Sequence, residues 1–114
     1  MIIIDSNETK RLLSQIYNKV SKELFGAGTT LLKVTIDQNV ITLQAKHPRA
    51  SRSAALEGEV PSLKLEVDFH LSLLFKKKFR QQLEEQIDWN IEAILRDYDS
   101  FTQFAFTNIV LNNK

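Results

Sequence analysis

The stretch Arg96-Asp97-Tyr98-Asp99-Ser100 separates two apolar runs, Ile91–Leu95 and Phe101–Leu111. Asp and Ser favour turns because their side chains accept hydrogen bonds from nearby backbone N–H groups. On both sides of the stretch, β-branched and aromatic residues alternate with polar ones, a pattern typical of strands. The sequence therefore predicts a closing β-hairpin, with Asp97 and Asp99 as structural turn residues.

The first part of the chain predicts a helix followed by another hairpin. Apolar residues recur at helical spacing through Asn7–Phe25, Asp5 is placed to cap this helix, and Gly26 is placed to end it. Thr29–Asp37 and Val40–Lys46 then alternate between apolar and polar residues across a short polar turn. These patterns predict one amphipathic helix and two antiparallel strands.

Two segments leave alternatives open. His47–Pro61 either holds a short helical turn around Ala50–Glu57 or is a loop throughout, and Ser62–Ile87 supports two interpretations. Leu63–Leu73 alternates as a strand does, yet apolar residues also recur at every fourth position from Leu63 to Ile87. The second half consists of strong helix formers. We favour one helix of about 25 residues, capped by Ser62. The alternative is a strand over Leu63–Leu73 followed by a short helix.

These elements define the fold class. With a break at Asp88-Trp89-Asn90, the order is α-β-β-α-β-β. Two hairpins then form one antiparallel sheet, and two helices pack on one of its faces. We expect residues 1–114 to form a single two-layer α+β domain, with Phe101, Phe104 and Phe106 packed in its core.

Composition limits the classes of function. The 114 residues carry a net charge of +1, no cysteine and 43% hydrophobic residues. Without cysteine there is no disulfide, thiolate chemistry or Cys-ligated metal. The near-zero net charge makes a nucleic-acid partner unlikely by composition. We expect a cytoplasmic protein that does not insert into a membrane.

Basic residues are the main candidates for contact with a partner or an anion. The candidates in the loop and on the second helix are His47, Arg49, Arg52, Lys76, Lys77, Lys78 and Arg80. If they converge, they form a concentrated positive surface. If they do not, the lysines form an ordinary solvated helix face. A nucleic-acid-linked regulator using Lys76–Arg80 is one alternative function.

The residues that carry chemistry form no recognisable catalytic or metal motif. His47 and His70 are not at metal-ligand spacing, and no nucleophile motif is present. We therefore expect neither an enzyme nor a cofactor. A small-ligand or metal site around His47, Asp97 and Asp99 is a further alternative, provided that their side chains converge in a pocket.

Several segments between Leu12 and Leu111 resemble one family. They are Phe25-Gly26-Ala27-Gly28, Ile36–Ile41, Lys46-His47-Pro48-Arg49, Ala54-Ala55-Leu56, Glu66-Val67-Asp68, Phe75–Phe79, Ile94–Asp99, and Thr102 with Ala105 and Thr107. Together they resemble the MpsC-like family of small bacterial proteins, and Arg96–Asp99 is the most specific part. Pro48 and Ser51–Ser53 depart from the family's more basic and apolar loop.

The resemblance implies a cytosolic, non-catalytic accessory role. The family name implies association with a membrane-potential-generating, cation-translocating system, and related systems are linked to inorganic carbon uptake. The membrane-embedded subunits would be separate proteins. Because Leu31 and Val110 are apolar residues on the opposite side of their strands from the core, both sheet faces are expected to contact something. We therefore expect a homodimer with a membrane transport protein as a further partner.

Overall fold

The computed structural model describes residues 7–48, 60–99 and 101–112 as a two-layer α+β domain. The elements are α1 (Asn7–Phe25), β1 (Leu31–Asp37), β2 (Val40–Lys46), α2 (Pro61–Gln86), β3 (Ile91–Tyr98) and β4 (Phe104–Leu111). The predicted fold class and the order α-β-β-α-β-β are confirmed. Arg49, Arg52, Asp5 and the predicted helical turn around Ala50–Glu57 lie outside the described residues.

The sheet has the strand order β1-β2-β4-β3, and all neighbouring strands are antiparallel. The two hairpins join through β2 and β4, which form the centre of the sheet. The inner face of these central strands is fully buried or nearly so. Its residues are Ile41, Leu43, Ala45, Ala105, Thr107, Ile109 and Leu111. Both helices pack against this side, so the core lies between one sheet face and the helix layer.

α1 has the predicted bounds, Asn7–Phe25, and Gly26 ends it as predicted. Gly26 has φ 80°, in the left-handed region, and its N–H donates to the Lys22 carbonyl at 3.0 Å. A residue with a Cβ adopts this backbone conformation at a cost, which explains glycine here. β1 begins at Leu31, two residues later than predicted.

α2 is helical over all 26 residues, so the strand alternative for Leu63–Leu73 is wrong. The predicted cap at Ser62 is wrong as well. Val60 is the N-cap residue and makes no side-chain capping bond, and Pro61 occupies the first turn. Proline suits that position because its missing N–H would have no intrahelical partner there.

The apolar series along α2 faces the core only in its middle. Phe75, Phe79 and Leu83 are fully buried, whereas Leu63 is exposed and Ile87 lies beyond the helix. Steps of four residues turn the helix by about 400°, so a series at this spacing rotates by about 40° per step. The N-terminal end of the series therefore turns away from the sheet, whereas Ile87, after the helix, packs against the core.

The closing turn lies three residues later than predicted. Arg96, Asp97 and Tyr98 all belong to β3, and Tyr98 pairs with Ala105 of β4. The connection consists of Asp99–Gln103, where the Asp99 carboxylate accepts hydrogen bonds from the backbone and hydroxyl of Thr102. Continued pairing with β4 therefore outweighs the turn preference of Asp97, which the structure places in a strand.

The phenylalanines of the closing hairpin are not in the core, contrary to the prediction. Phe101 is 71% exposed, Phe106 is also exposed, and Phe104 is half-buried. Side chains alternate along β4, so Ala105 faces the helices while its neighbours, Phe104 and Phe106, face outward.

We predict that Gly26→Ala lowers the free energy of unfolding by about 1–2 kcal/mol. A Cβ at Gly26 would meet nothing within 4 Å, so the cost arises from the left-handed backbone alone. Gly26→Asn is the control, because Asn tolerates this conformation better and should recover part of the loss. Urea unfolding of both variants at one protein concentration measures the difference. Equal losses for Ala and Asn would contradict the backbone explanation.

Candidate functional site

His47, a predicted candidate, is the centre of a buried polar cluster. It directly follows β2, is 5% exposed, and its backbone N–H donates to the Gln103 carbonyl at 2.9 Å. Its ring lies against Phe25 of α1 and Phe75 of α2. One side chain therefore contacts both helices next to the closing turn.

The hydrogen bonds of the ring define its tautomer. Nε2 lies 2.8 Å from the Tyr17 hydroxyl and 3.2 Å from Nη2 of Arg96. Because a guanidinium can only donate, Nε2 must accept. Nδ1 lies 3.3 Å from the Ser21 hydroxyl, which donates its own proton to the Ala27 carbonyl at 2.8 Å. Nδ1 therefore carries the proton, and His47 is neutral.

The surroundings of His47 keep it neutral over the physiological pH range. Burial, together with the nearby charge of Arg96, lowers the pKa of His47 to about 3. Burial likewise raises the pKa of Tyr17 against the opposing effect of the Arg96 charge. The cluster therefore contains one cation, Arg96, and two neutral hydrogen-bonding groups.

Arg96 lies on the inner face of β3, and aromatic rings surround its guanidinium. The guanidinium carbon lies 4.0 Å from the ring centre of Phe75 and about 6 Å from those of Tyr17, Phe25 and Tyr98. Cation–π contacts of this kind stabilise a buried cation. Nevertheless, burial lowers the pKa of Arg96, and its Nε and Nη1 are buried without a hydrogen-bond partner.

A buried ion pair forms the opposite wall. Lys64 and Asp68, one turn apart on α2, are joined at 2.7 Å with side chains only 5% and 10% exposed. Lys64 lies eleven residues and Asp68 seven residues before Phe75, on the helix face that turns toward the core. The sequence interpretation missed them because it followed steps of four residues.

A small pocket opens between Arg96 and this ion pair. Its volume of about 40 Å³ has room for roughly three water molecules. The lining residues are Phe25, His47, Pro48, Lys64, Asp68, Leu71, Ser72, Arg96, Tyr98 and Gln103. Among the described lining residues, the charged groups are two cations and one carboxylate, so this part of the lining carries a net positive charge.

Among the described residues, the structure does not bring Lys76, Lys77, Lys78 or Arg80 to His47. Lys76 and Lys78 are half-buried and Lys77 is exposed, along the second half of α2. Arg80 donates to the Ile91 carbonyl at 2.9 Å and pairs with Glu84 at 3.4 Å. These bonds link α2 to the start of β3.

Asp97 and Asp99 lie away from His47. Both are exposed and line a shallow concavity on the outer sheet face together with Phe104 and Phe106. The hydrogen bond from Thr102 lowers the pKa of Asp99. Among the described residues, no group of three or more metal-ligating side chains comes together.

The first half of α2 has inverted polarity. Lys64 and Asp68 face inward, while an outward row of Leu65, Phe69 and Leu73 is 54%, 60% and 43% exposed. We call this row the Phe69 row. Leu63 and Leu74 are exposed on a second side of the same half.

Within the described ranges, neither helix is both long and apolar enough to cross a membrane.

No family model, curated protein or solved structure matches this chain.

We predict that neutral His47 makes stability depend on pH. Its folded-state pKa lies below its value of 6.5 in an unfolded chain, so the unfolded state takes up the proton first as pH falls. The stability that neutral His47 contributes is complete at pH values above the pKa of the unfolded chain. It is lost as the pH falls from that value toward the pKa of the folded state. Between about pH 7.5 and about pH 5.5 the loss is about 1.4 kcal/mol.

Urea unfolding at the two pH values measures this loss. His47→Gln keeps an acceptor but removes the titrating ring, so its pH dependence should be weaker by that amount. His70→Gln is the matched control at an exposed histidine. An unchanged pH dependence in His47→Gln would contradict the prediction. Imidazole ¹⁵N NMR checks the tautomer independently, with Nδ1 protonated and Nε2 bare.

Proposed function

We propose that this chain is a non-catalytic interaction protein that works as a homodimer through the first half of α2. The observation that supports the proposal is the inverted polarity of this segment. Exposed apolar rows next to a buried ion pair are the reverse of an ordinary surface helix. Covering the Phe69 row removes apolar surface from water and is therefore favourable.

A second copy is the occupant that the Phe69 row fits. Leu65 and Leu73 lie four residues before and after Phe69. Two α2 helices that pack antiparallel about Phe69 would place each Leu65 opposite the Leu73 of the other copy. A two-fold interface requires this kind of self-complementary surface.

Exposed charges beside the row are complementary in the same arrangement. Glu66 and Lys77 are both exposed on one side of the Phe69 row. In the antiparallel pair, Glu66 of one copy would lie about five residues, roughly 7.5 Å along the axis, from Lys77 of the second. Two flexible side chains span that distance, so two symmetric ion pairs would flank the apolar contact.

The exposed apolar area is large for a chain of this size. The three side chains of the Phe69 row present on the order of 300 Å² per copy, at about 200 Å² for a fully exposed side chain. Patches of a few hundred Å² on monomeric proteins are often functional. Two copies with their flanking polar residues would approach the roughly 1,000 Å² that a specific interface needs.

The resemblance to the MpsC-like family supports a cellular role for this dimer. The chain would be a cytoplasmic accessory subunit of a membrane-potential-generating or cation or inorganic-carbon transport system. Affinity purification from the native host after gentle membrane solubilisation tests this role. Recovery of integral-membrane transport subunits is expected. Recovery of the chain alone, from a wholly soluble fraction, would contradict the accessory role and leave the dimer proposal standing.

We predict that Phe69→Glu raises the dissociation constant of the dimer by about 30-fold or more, as expected for a central interface residue. Sedimentation equilibrium measures the change. Leu95→Glu is the matched control, because Leu95 is equally exposed but lies on β3. A monomeric wild type at several hundred micromolar would contradict the proposal. Dissociation by Leu95→Glu alone would place the interface on the sheet instead.

Charge reversal tests the orientation of the two helices. Glu66→Lys and Lys77→Glu should each weaken the dimer several-fold, because each places like charges opposite one another. The double variant restores opposite charges and should recover most of the affinity. Failure of the double variant to recover would contradict the antiparallel arrangement. Unfolding measurements on each variant confirm that the domain remains folded.

A further inference from the structure

The Arg96 guanidinium is a buried cation without a counter-ion among the described residues. Its hydrogen bond to His47 goes to a neutral ring, and no carboxylate of the described chain pairs with it. Removing a charge from water has a large free-energy cost, of which cation–π contacts recover only a part. A group that brings negative charge to Arg96 would therefore be strongly favoured.

The pocket beside Arg96 suits such a group. It lies between Arg96 and Lys64, it carries a net positive charge, and Tyr98 and Gln103 add polar groups to its lining. Its volume of about 40 Å³ limits the ligand to a few non-hydrogen atoms. Phe25 also belongs to the lining and makes part of the pocket wall apolar.

We propose that this pocket binds one small planar monoanion with a carboxylate-type group, which serves as the counter-ion of Arg96. A guanidinium offers parallel N–H donors that match the two oxygens of such a group. A monoanion neutralises the net positive charge of the lining, whereas a dianion would leave an excess negative charge in a mostly buried site. The volume excludes nucleotides and other large anions.

Binding must change the orientation of the Arg96 guanidinium, and that change can be observed directly in side-chain NMR signals. Its Nε and Nη1 are shielded from solvent, so the guanidinium has to turn toward the pocket to donate to a ligand. Contacts with aromatic faces permit this rotation because they lack the directionality of hydrogen bonds. The bond from Nη2 to His47 changes in the same step. The ring nitrogens of His47 and Nε of Arg96 therefore report on binding.

The experiment is an NMR titration of the full-length protein with formate, acetate and bicarbonate at constant ionic strength. Chloride and phosphate serve as comparison anions. We expect saturable shifts of the Arg96 and His47 side-chain signals, half-maximal at millimolar concentration or below. Chloride and phosphate should bind at least tenfold more weakly. The three carboxylate-type probes differ in the group on the carbon, so their order of affinity defines the ligand.

Two variants test the assignment in opposite directions. Arg96→Lys keeps the charge but loses the planar donors, and it should weaken binding at least tenfold. Asp68→Asn removes the one carboxylate among the described lining residues with little change in shape, and it should strengthen binding several-fold. The second variant keeps the test valid even if Arg96→Lys fails to fold. Phe69→Glu, outside the pocket, should bind unchanged, which separates this proposal from the dimer.

The proposal is overturned if none of the three probes gives a saturable shift. It is also overturned if chloride and phosphate act equally well and Asp68→Asn has no effect. In the first case Arg96 is a structural cation held by the aromatic rings and His47, and in the second case the pocket binds anions without selectivity.

Discussion

The neutral ring of His47 is the constraint on which this fold depends. Through it, Tyr17 and Ser21 of α1 are tied to the end of β2 and to Arg96 of β3. The bonds to Nε2 require that nitrogen to accept, so they form only while the ring is uncharged. Because buried polar groups cost free energy when left unpaired, this cluster makes helix and sheet positions mutually dependent.

α2 couples two environments within one continuous helix. Its second half contributes Phe75, Phe79 and Leu83 to an ordinary hydrophobic core. Its first half places the Lys64–Asp68 pair inward and the Phe69 row outward. A buried ion pair is weak evidence for stability, since its desolvation offsets much of its attraction. Its position beside Arg96 is better explained by the charge of the pocket than by a contribution to folding.

The local sequence pattern predicts the helices and strands well. It fails where pairing between distant strands determines the structure. The bounds of α1 and its end at Gly26 follow from amphipathic spacing and from the conformational freedom of glycine, both of which are local. The turn was misplaced because Asp97 favours turns, whereas its pairing with Phe106 of β4 depends on the whole sheet. Arg96 was interpreted as a turn charge for the same reason. Its burial follows from sharing the inner face of β3 with Ile94. The ion pair of α2 was detectable in the sequence from its spacing of seven and eleven residues to Phe75.

The strand order also has a consequence for synthesis on the ribosome. β2 is a central strand, yet its second neighbour, β4, follows more than fifty residues later in the chain. Until β4 emerges, the nascent chain carries a hairpin with an unpaired edge on the Ile41 strand, even though both helices have already been synthesised. Unpaired edges of this kind favour association between chains. The interval between the two halves is therefore the period in which this protein is most exposed to misassembly.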